Sequence, residues 1–280
     1  MKTVMIGLFP HKKSFSVRNG AEMIAAQRQA EILRLLEDRG TIRISDLSER
    51  LGVSLETVRR DVKILVSNGS VLHRHGGIML PSALREAPFD RRMRENAAAK
   101  RLIARLTARM IRDGESVMLD TGSTTSFLAR ELLEHRRLTV VTNSPDIARL
   151  LATVNGNAVH MAGGALDRDS GAALGLSAIE FVSRFWVDHA IISAGALHPE
   201  RGIMDYRLEE AEFARAVLAR GVRRVVVCDI SKFERPGLVQ VCGWQGIDSL
   251  VTDRPPPAEA QKALEAAGVQ ILIPESPADG

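Results

Sequence analysis

The chain has 280 residues, of which 45% are hydrophobic and 26% are charged, and its mean hydropathy is −0.03. This balance excludes a largely disordered chain, and no apolar run is long enough to span a membrane. We therefore expect a cytoplasmic protein built from one large or two modest domains.

The net charge of +4 is unevenly distributed along the chain. Residues 1–109 contain 21 Lys and Arg against 11 Asp and Glu, a balance of +10, and the remainder contains 17 against 23, a balance of −6. A basic N-terminal part favours a polyanionic partner, because binding phosphates releases their counterions. Cys228 and Cys242 are isolated in sequence, so we expect reduced core thiols and neither a disulfide framework nor a CxxC site.

The chain begins with a segment, residues 1–22, that has no sustained periodicity. We expect an N-terminal extension there, with Met23 as an alternative start. From residue 25 to residue 39, Ile32, Leu35 and Leu36 repeat at helical spacing, which predicts the first helix of a domain spanning 23–80.

Two short helices joined by a tight turn follow. Ser45 is predicted to cap a helix over 46–51, and Gly52 ends that helix. After Val53, Ser54 is predicted to cap a second helix over 55–66. This spacing is typical of a helix-turn-helix.

The second helix has one apolar face and one charged face. Val58, Val62 and Leu65 lie on the first face, and the opposite face suits a major groove, although a charged face alone is more often simply solvated. Its cap and spacing favour DNA binding. We predict that the DNA contacts are made by Ser54, Glu56, Thr57, Arg59, Arg60, Lys63 and Arg74.

The predicted wing of this DNA-binding domain covers residues 71–78, where Arg74 is expected to reach sugar-phosphate or the minor groove. His73 and His75 are expected to support the wing rather than bind a metal, because no further ligands of suitable spacing stand nearby. Residues 81–95 are rich in Pro and Arg and predict a linker. Its arginines either contact the DNA backbone or form a solvated face.

From residue 96 to residue 280 the pattern alternates between short β-branched runs and helical stretches, after a first helix over 97–111. This alternation predicts a Rossmann-like, mostly parallel α/β domain with helices on both faces. The predicted strands cover 116–119, 138–142, 158–161, 189–194, 224–228, 249–252 and 269–273, and the predicted helices cover 126–133, 146–152, 177–184, 209–220 and 258–267.

Two loops of this domain, 120–125 and 142–145, follow a strand and open a helix. In parallel sheets, ligands gather at this edge, where glycines, hydroxyls and free amides can hold a phosphate. The same residue types also cap helices for purely structural reasons. No nucleotide-binding motif stands at a strand-helix junction, which disfavours a nucleotide-dependent switch. We predict no cofactor and no metal.

The segments SLETVRRDVKIL and LHRHGGI resemble the recognition helix and wing of the DeoR family of bacterial transcription regulators. The likeness continues in order through DTGSTT, VTNSPDIARLL, the Gly163–Gly164 pair, residues 195–212 and CDISKF, and covers about residues 24–273. It implies a winged helix-turn-helix joined to a sensor domain that is similar to sugar-phosphate isomerases of the ribose-5-phosphate type.

The resemblance also implies effector contacts. These are Asp120, Gly122, Ser123, Thr124, Thr125, Asn143, Gly163, Gly164, Glu209 and Lys232. The alternative interpretation of Glu209 and Lys232 is a helix-start acid and a surface lysine. Where the family often has small hydroxyl or amide residues, this chain has Met204, Asp205 and Tyr206, which leaves the identity of the sugar open.

We therefore predict a regulator that binds a double-stranded DNA operator, most simply a homo-oligomeric repressor of carbohydrate-metabolism genes controlled by a phosphorylated sugar. It is not expected to be an enzyme. The alternative is a phosphosugar isomerase-like enzyme with a DNA-binding domain, for which Asp205, Glu209 and Lys232 are the candidate catalytic groups.

Overall fold

The N-terminal unit is a winged helix-turn-helix, as predicted. A computed structural model describes residues 25–39, 41–74, 77–80 and 86–274, so the predicted extension, Gly40 and the wing residues 75–76 lie outside it. Its helices are α1 (Ala25–Arg39), α2 (Ile44–Leu51) and α3 (Leu55–Ser67), and its strands are β1 (Thr41–Ile42), β2 (Leu72–Arg74) and β3 (Gly77–Met79). The strands form an antiparallel sheet in the order β1-β3-β2.

The helix caps confirm one prediction and correct another. Ser54 caps α3, because its Oγ accepts a hydrogen bond from the backbone N–H of Thr57 at 3.2 Å. The prediction for Ser45 was wrong, since α2 begins at Ile44 with Arg43 as its cap residue. Starting the helix there packs Ile44 against the core of the winged unit, and this burial replaces the hydrogen bond that a serine cap would make.

A buried ion pair, which the sequence did not indicate, ties α3 to α1. Asp61 is buried, and its Oδ2 lies 2.6 Å from Nε of Arg28. Gln29 also donates a hydrogen bond to this carboxylate. The orientation of α3 is therefore fixed by a charged contact as well as by the apolar side chains of Val58, Val62 and Leu65, which are all buried.

The last part of the predicted linker is structured. Helix α4 (Phe89–Arg94) and helix α5 (Ala97–Ala108) precede the sheet of the α/β unit. The backbone N–H of Phe89 donates to the carboxylate of Asp169 at 2.9 Å, and Arg92 is buried rather than solvated. Residues 86–95 therefore contact the α/β unit, whereas residues 81–85 lie outside the described chain.

The α/β unit is built on a seven-stranded, fully parallel sheet. Its strand order is β15-β14-β12-β9-β4-β5-β6, and all six neighbouring pairs run parallel, which confirms the predicted fold class. The strands are β4 (Ser116–Leu119), β5 (Thr139–Thr142), β6 (Ala158–Met161), β9 (Val187–Ser193), β12 (Gly221–Val227), β14 (Ser249–Val251) and β15 (Gln270–Leu272).

Helices cover both faces of this sheet. One apolar cluster contains Met118 and Ile192 together with Phe213, and the other contains Leu119 and Ile191 together with Leu128. The alternation of strand residues between the two clusters explains why both faces are apolar. The helices are α6 (Ser123–Glu131), α7 (Pro145–Leu151), α8 (Leu176–Val182), α9 (Leu208–Leu218) and α10 (Ala258–Ala266).

Five short strands of the α/β unit were not predicted. Two form the hairpin β7 (Ala165–Leu166) and β8 (Ala173–Leu174), and three form an antiparallel sheet of β10 (Ala196–His198), β11 (Gly202–Asp205) and β13 (Val239–Cys242). They are two to four residues long, which is too short to show a period in the sequence. No helix in the described parts of the chain is long and apolar enough to cross a membrane.

Candidate DNA interface and effector site

The predicted reading face of α3 is open to solvent. Glu56, Arg59, Arg60 and Lys63 are exposed, and Thr57 at the margin is partly buried. The hydroxyl of Ser54 is 2.9 Å from that of Thr57, so both lie at the N-terminus of the helix. The structure thus brings six of the seven predicted DNA contacts onto one exposed surface.

The wing strands β2 and β3 follow α3 in the sequence. Strand β3 pairs with β1, which joins the wing to the rest of the unit. Arg74 is the last residue of β2, and its backbone pairs with Gly77 of β3. A Cβ on Gly77 would lie 2.4 Å from the carbonyl oxygen of Ile42, so no other residue fits there without moving β1. The wing is therefore held closely against β1.

The second site is a cavity at the carboxyl ends of neighbouring strands. Asp120 follows β4, Asn143 follows β5, and Ser193 ends β9, and these strands are adjacent in the sheet. The Oγ1 of Thr121 donates a hydrogen bond to Oδ1 of Asn143 at 2.9 Å and joins the two predicted loops. The cavity is lined by Glu86, Arg92, Asp120, Thr121, Asn143, Ser170, Ala172, Leu174, Ser193, Gly195, Asp205, Glu210, Phe213 and Ala214.

Asp120 is the most unusual group in this cavity. The backbone N–H of Ser193 donates to its Oδ2 at 2.9 Å, but its buried Oδ1 has no hydrogen-bond partner among the described residues. Burial raises the pKa of this carboxyl to about 7. Asp120 can therefore accept or donate a hydrogen bond near neutral pH, which suits a ligand hydroxyl.

The loop after Asp120 turns into α6 sooner than predicted. The helix starts at Ser123 rather than at residue 126, so Ser123, Thr124 and Thr125 form its buried first turn. Gly122 precedes this turn, and a Cβ on it would lie 1.8 Å from Oγ of Ser193. These four residues lie behind the cavity lining and bring the N-terminus of α6 close to it.

Two further carboxyl groups line the cavity with Asp120. Asp205 at the end of β11 and Glu210 on α9 are hydrogen-bonded to each other, and burial raises the pKa of both; the charge of Glu86 adds to this rise at Asp205, and the charge of Asp205 adds to it at Glu210. The backbone N–H of Tyr206 donates to Oδ1 of Asp205 at 2.6 Å and fixes its orientation. The cavity thus holds a carboxyl pair that shares a proton near neutral pH.

Beside these acids, Glu86 lies between two buried cations. Its carboxylate is 2.9 Å from Nζ of Lys232 and 2.9 Å from a guanidinium nitrogen of Arg92. Burial alone would raise the pKa of Glu86, but the charges of Lys232 and Arg92 outweigh it and lower the pKa. Lys232 is therefore a buried ion-pair partner rather than a surface lysine.

Three predicted effector contacts lie away from the cavity. Glu209 is exposed and lies 3.8 Å from Nε of Arg207, so the acid that α9 directs into the cavity is its neighbour Glu210. Gly163 and Gly164 are exposed. A Cβ on Gly164 would meet the carbonyl of Leu174, which places this glycine against β8.

Sequence reasoning named Asp205 only as a candidate catalytic group and missed six other polar lining residues: Glu86, Arg92, Thr121, Ser170, Ser193 and Glu210. Ser193 has the signal used for the two loops, a polar residue at the end of an apolar strand, and could have been found by it. Glu86, Arg92 and Ser170 come from irregular segments that carry no such signal. No three His, Cys, Asp or Glu side chains in the described parts of the chain are placed to hold a metal ion.

Comparisons with known proteins agree with this two-part architecture. The family model described as a DeoR-like helix-turn-helix domain matches residues 28–83, and the DeoR C-terminal sensor domain matches residues 95–254. The transcriptional repressor CsqR of Escherichia coli is 30% identical over 92% of this chain and 98% of its own length. The glycerol-3-phosphate regulon repressor of Escherichia coli is 29% identical over 90% of this chain and 100% of its own length.

Among solved structures, ribose 5-phosphate isomerase A from Methanocaldococcus jannaschii is 18% identical and covers 50% of this chain and 55% of its own, with a TM-score of 0.37. This similarity is too low to bear on function. The sensor-domain match covers more than half of the chain, and the helix-turn-helix match coincides with the winged unit. The chain therefore belongs to the DeoR family of DNA-binding transcriptional regulators.

Proposed function

We propose that this regulator represses carbohydrate-metabolism genes and that a phosphorylated sugar or related metabolite controls its affinity for its operator. The observation that carries the proposal is the composition of the cavity and its immediate surroundings. Carboxyl groups that can bind hydroxyls, Asp120 above all, line it together with the buried cation Arg92, and the buried cation Lys232 lies beside it, so that both cations can bind a phosphate. A sugar phosphate has both kinds of group.

The DNA-binding half of the proposal assigns the operator contacts to the exposed face of α3. Arg59 and Arg60 are suited to guanine edges or phosphates, and Ser54, Glu56, Thr57 and Lys63 complete this face, with Arg74 on the wing. A single helix-turn-helix reads few base pairs, so we infer a symmetric oligomer that reads paired half-sites. Such a protein acts in the cytoplasm, where its DNA is.

The effector half assigns hydroxyl recognition to the carboxyl ends of the strands. Oδ1 of Asp120 is buried and unpartnered among the described residues, and Asp120 lines the cavity together with Thr121 and Asn143. Because burial raises the pKa of Asp120 to about 7, its carboxyl can donate a hydrogen bond to a ligand hydroxyl when protonated and accept one when ionised. The hydroxyl of Thr125 donates to the carbonyl oxygens of Asp120 and Gly122 and so holds the first turn of α6 to this loop.

A thermal-shift panel tests the effector class on the full-length chain. Glycerol 3-phosphate is the first probe, because one relative bears the name of the glycerol-3-phosphate regulon, and each phosphorylated compound is matched with its unphosphorylated parent. A ligand at about 100 times its Kd should stabilise the native state by about 2.7 kcal/mol. Equal shifts by glycerol and glycerol 3-phosphate, and by every other matched pair, would contradict the proposal.

The enzyme alternative has less support. Of its three candidate groups, Glu209 is exposed outside the cavity and Lys232 is engaged by Glu86, so only Asp205 lines the site. Proton abstraction requires a base and an electrophile that both reach the substrate. We expect the full-length chain to bind an aldose phosphate without converting it to the ketose phosphate, which chromatographic separation of the two sugars would check.

A further inference from the structure

Glu86 belongs to the segment that joins the winged unit to the α/β unit, yet its carboxylate lies inside the effector cavity. Its side chain is only 13% exposed, and those of its partners Arg92 and Lys232 are 10% and 8% exposed. Ion pairs this deeply buried are strong only while both partners are present. The carboxylate therefore occupies the place where the cavity presents positive charge.

The cavity offers an incoming phosphate no other cation. Arg92 is the one cationic residue among those that line it in the described chain, and Lys232 is adjacent, bound to the same carboxylate. The single negative charge of the Glu86 carboxylate is paired with both of these cations. A phosphorylated ligand can take over the two ion pairs only if this carboxylate leaves.

The free space in the cavity leads to the same conclusion. It amounts to about 30 Å³, whereas sites for small molecules typically have roughly 300 to 1,000 Å³. Something that now lines the cavity must move before a sugar phosphate can enter. Glu86 lies at the start of the structured part of the connecting segment, before α4, whereas Asp120, Asn143 and Ser193 are fixed to strand ends.

The rest of the connecting segment is held by other contacts. The N–H of Phe89 is bound to Asp169, and Nζ of Lys100 donates to the carbonyl oxygens of Arg92 and Glu95. Helix α4 can therefore stay in place while the chain before it detaches. The two cations would also stay in place, ready for the phosphate.

We propose that Glu86 is an internal stand-in for the effector's phosphate group: the phosphate displaces it from Arg92 and Lys232 and so frees the chain that leads to the DNA-binding unit. This inference rests on the proposed function, because it requires a phosphorylated ligand in this cavity. A phosphate offers more charge and more acceptor oxygens than a carboxylate, so it can replace both ion pairs at once.

The test compares the wild-type chain with Glu86→Gln, which keeps the shape of the side chain and removes its charge. Inorganic phosphate is titrated by calorimetry at constant ionic strength, and glycerol 3-phosphate is titrated in parallel. If the Glu86-bound arrangement is populated about ten to one, Glu86→Gln should bind phosphate about tenfold more tightly, because the competing state is removed. The phosphate affinity of Glu86→Asp, which keeps the charge on a shorter side chain, should lie between those of the wild type and Glu86→Gln.

Glu95→Gln is the matched control. It removes the same charge from the same segment, but Glu95 pairs with Arg91 and Arg235 and does not line the cavity. Its affinity for phosphate should equal that of the wild type. An equal gain in Glu95→Gln would show that the gain is a general charge effect and would overturn the inference.

Amide hydrogen exchange supplies a second measurement. Phosphate should speed up exchange at the amides of residues 86 and 87 in the wild type, and Glu86→Gln should show fast exchange there without phosphate. Slower exchange in the wild type with phosphate would overturn this inference but not the proposed function. Weaker phosphate binding by Glu86→Gln, at an unchanged melting temperature, would show that Glu86 is part of the binding site and would have the same consequence. If the wild type and Glu86→Gln bind no phosphorylated compound, the proposed function fails as well.

Discussion

The two halves of the chain present their cations in opposite ways. On α3, Arg59, Arg60 and Lys63 are exposed, and none of them forms an ion pair within the described residues. In the α/β unit, Arg92 and Lys232 are buried and share the carboxylate of Glu86. Exposed cations can bind DNA phosphates directly. Buried cations that are already paired with a carboxylate can bind another anion only after that carboxylate leaves.

The largest effect is expected at the buried ion pair of the winged unit. It is an exception to this contrast, because the cation Arg28 of the DNA-binding half is paired with the buried Asp61. Asp61→Ala removes the carboxylate that Arg28 contacts at 2.6 Å. Breaking a buried pair typically costs about 3 to 5 kcal/mol. We expect the winged unit to unfold at lower urea concentration, measured by circular dichroism on the full-length chain.

The control for this change is Glu31→Ala, which removes a surface ion pair with Arg34 on the same helix. A surface pair contributes only about 0 to 1 kcal/mol. Equal destabilisation by the two substitutions would mean that burial of Asp61 adds nothing to the stability of the unit.

The next effect concerns the packing behind the cavity. Gly122→Ala places a methyl group 1.8 Å from the original position of Oγ of Ser193, so the loop or β9 must shift. Overpacking of this kind costs about 1 to 3 kcal/mol. We expect the thermal shift by the effector to disappear while operator binding, followed by fluorescence anisotropy, persists.

Gly163→Ala is the matched substitution, since nothing lies within 4 Å of a Cβ at that position. It should leave both the effector response and the melting temperature unchanged. A lost response in Gly163→Ala would place this glycine at the effector site after all.

An effect of similar or smaller size is expected at the reading face. Arg60→Ala should weaken operator binding by roughly 1 to 3 kcal/mol if Arg60 reads a base, and effector binding should not change. Anisotropy titrations with operator and scrambled DNA distinguish the roles, because a phosphate contact would be lost equally on both. Arg254→Ala, which removes an exposed arginine of the α/β unit, is the charge control.

The smallest effect is a dependence of stability on pH. Burial raises the pKa of Asp120 from 3.8 to about 7, so the folded chain binds more protons than the unfolded chain between these values. The free energy of unfolding should therefore fall as pH rises from about 4 to about 7. Asp120→Asn removes this contribution, so its melting temperature relative to wild type should be higher at pH 8 than at pH 5; parallel pH profiles would contradict this.

Local patterns in the sequence were sufficient for most of the fold. Each of the seven strands of the parallel sheet lies where a β-branched or apolar run predicted it. The central strands are buried on both faces and so form continuous apolar segments, whereas the edge strands β6 and β15 are partly exposed. The winged unit was also predictable, since a cap such as Ser54 and a C-terminal glycine such as Gly52 act within a few residues. Among the helices of the winged unit, the start of α2 was misplaced, because packing of Ile44 outweighed a local cap.

The candidate site was only partly predictable, because its groups come together from distant parts of the chain. Asp120 and Asn143 follow from the rule for strand ends. Glu86 and Arg92 do not, because nothing in a Pro- and Arg-rich segment indicates that its side chains turn inward to meet Lys232. From the sequence, Glu209 was named and Glu210 was not considered. Which of these two acids faces the cavity depends on the residue at which α9 begins, and that residue is not evident from the sequence.

The close fit of Gly77 against Ile42 has a consequence for protein engineering. A wing grafted from a related regulator would need a glycine at this position, or the donor's first strand would have to be transferred with it. Swapping the recognition helix alone imposes no such condition, since its contacts to the wing strands are not set by this glycine. Hybrid regulators with altered operator preference should therefore be assembled by exchanging the hairpin and β1 as one piece.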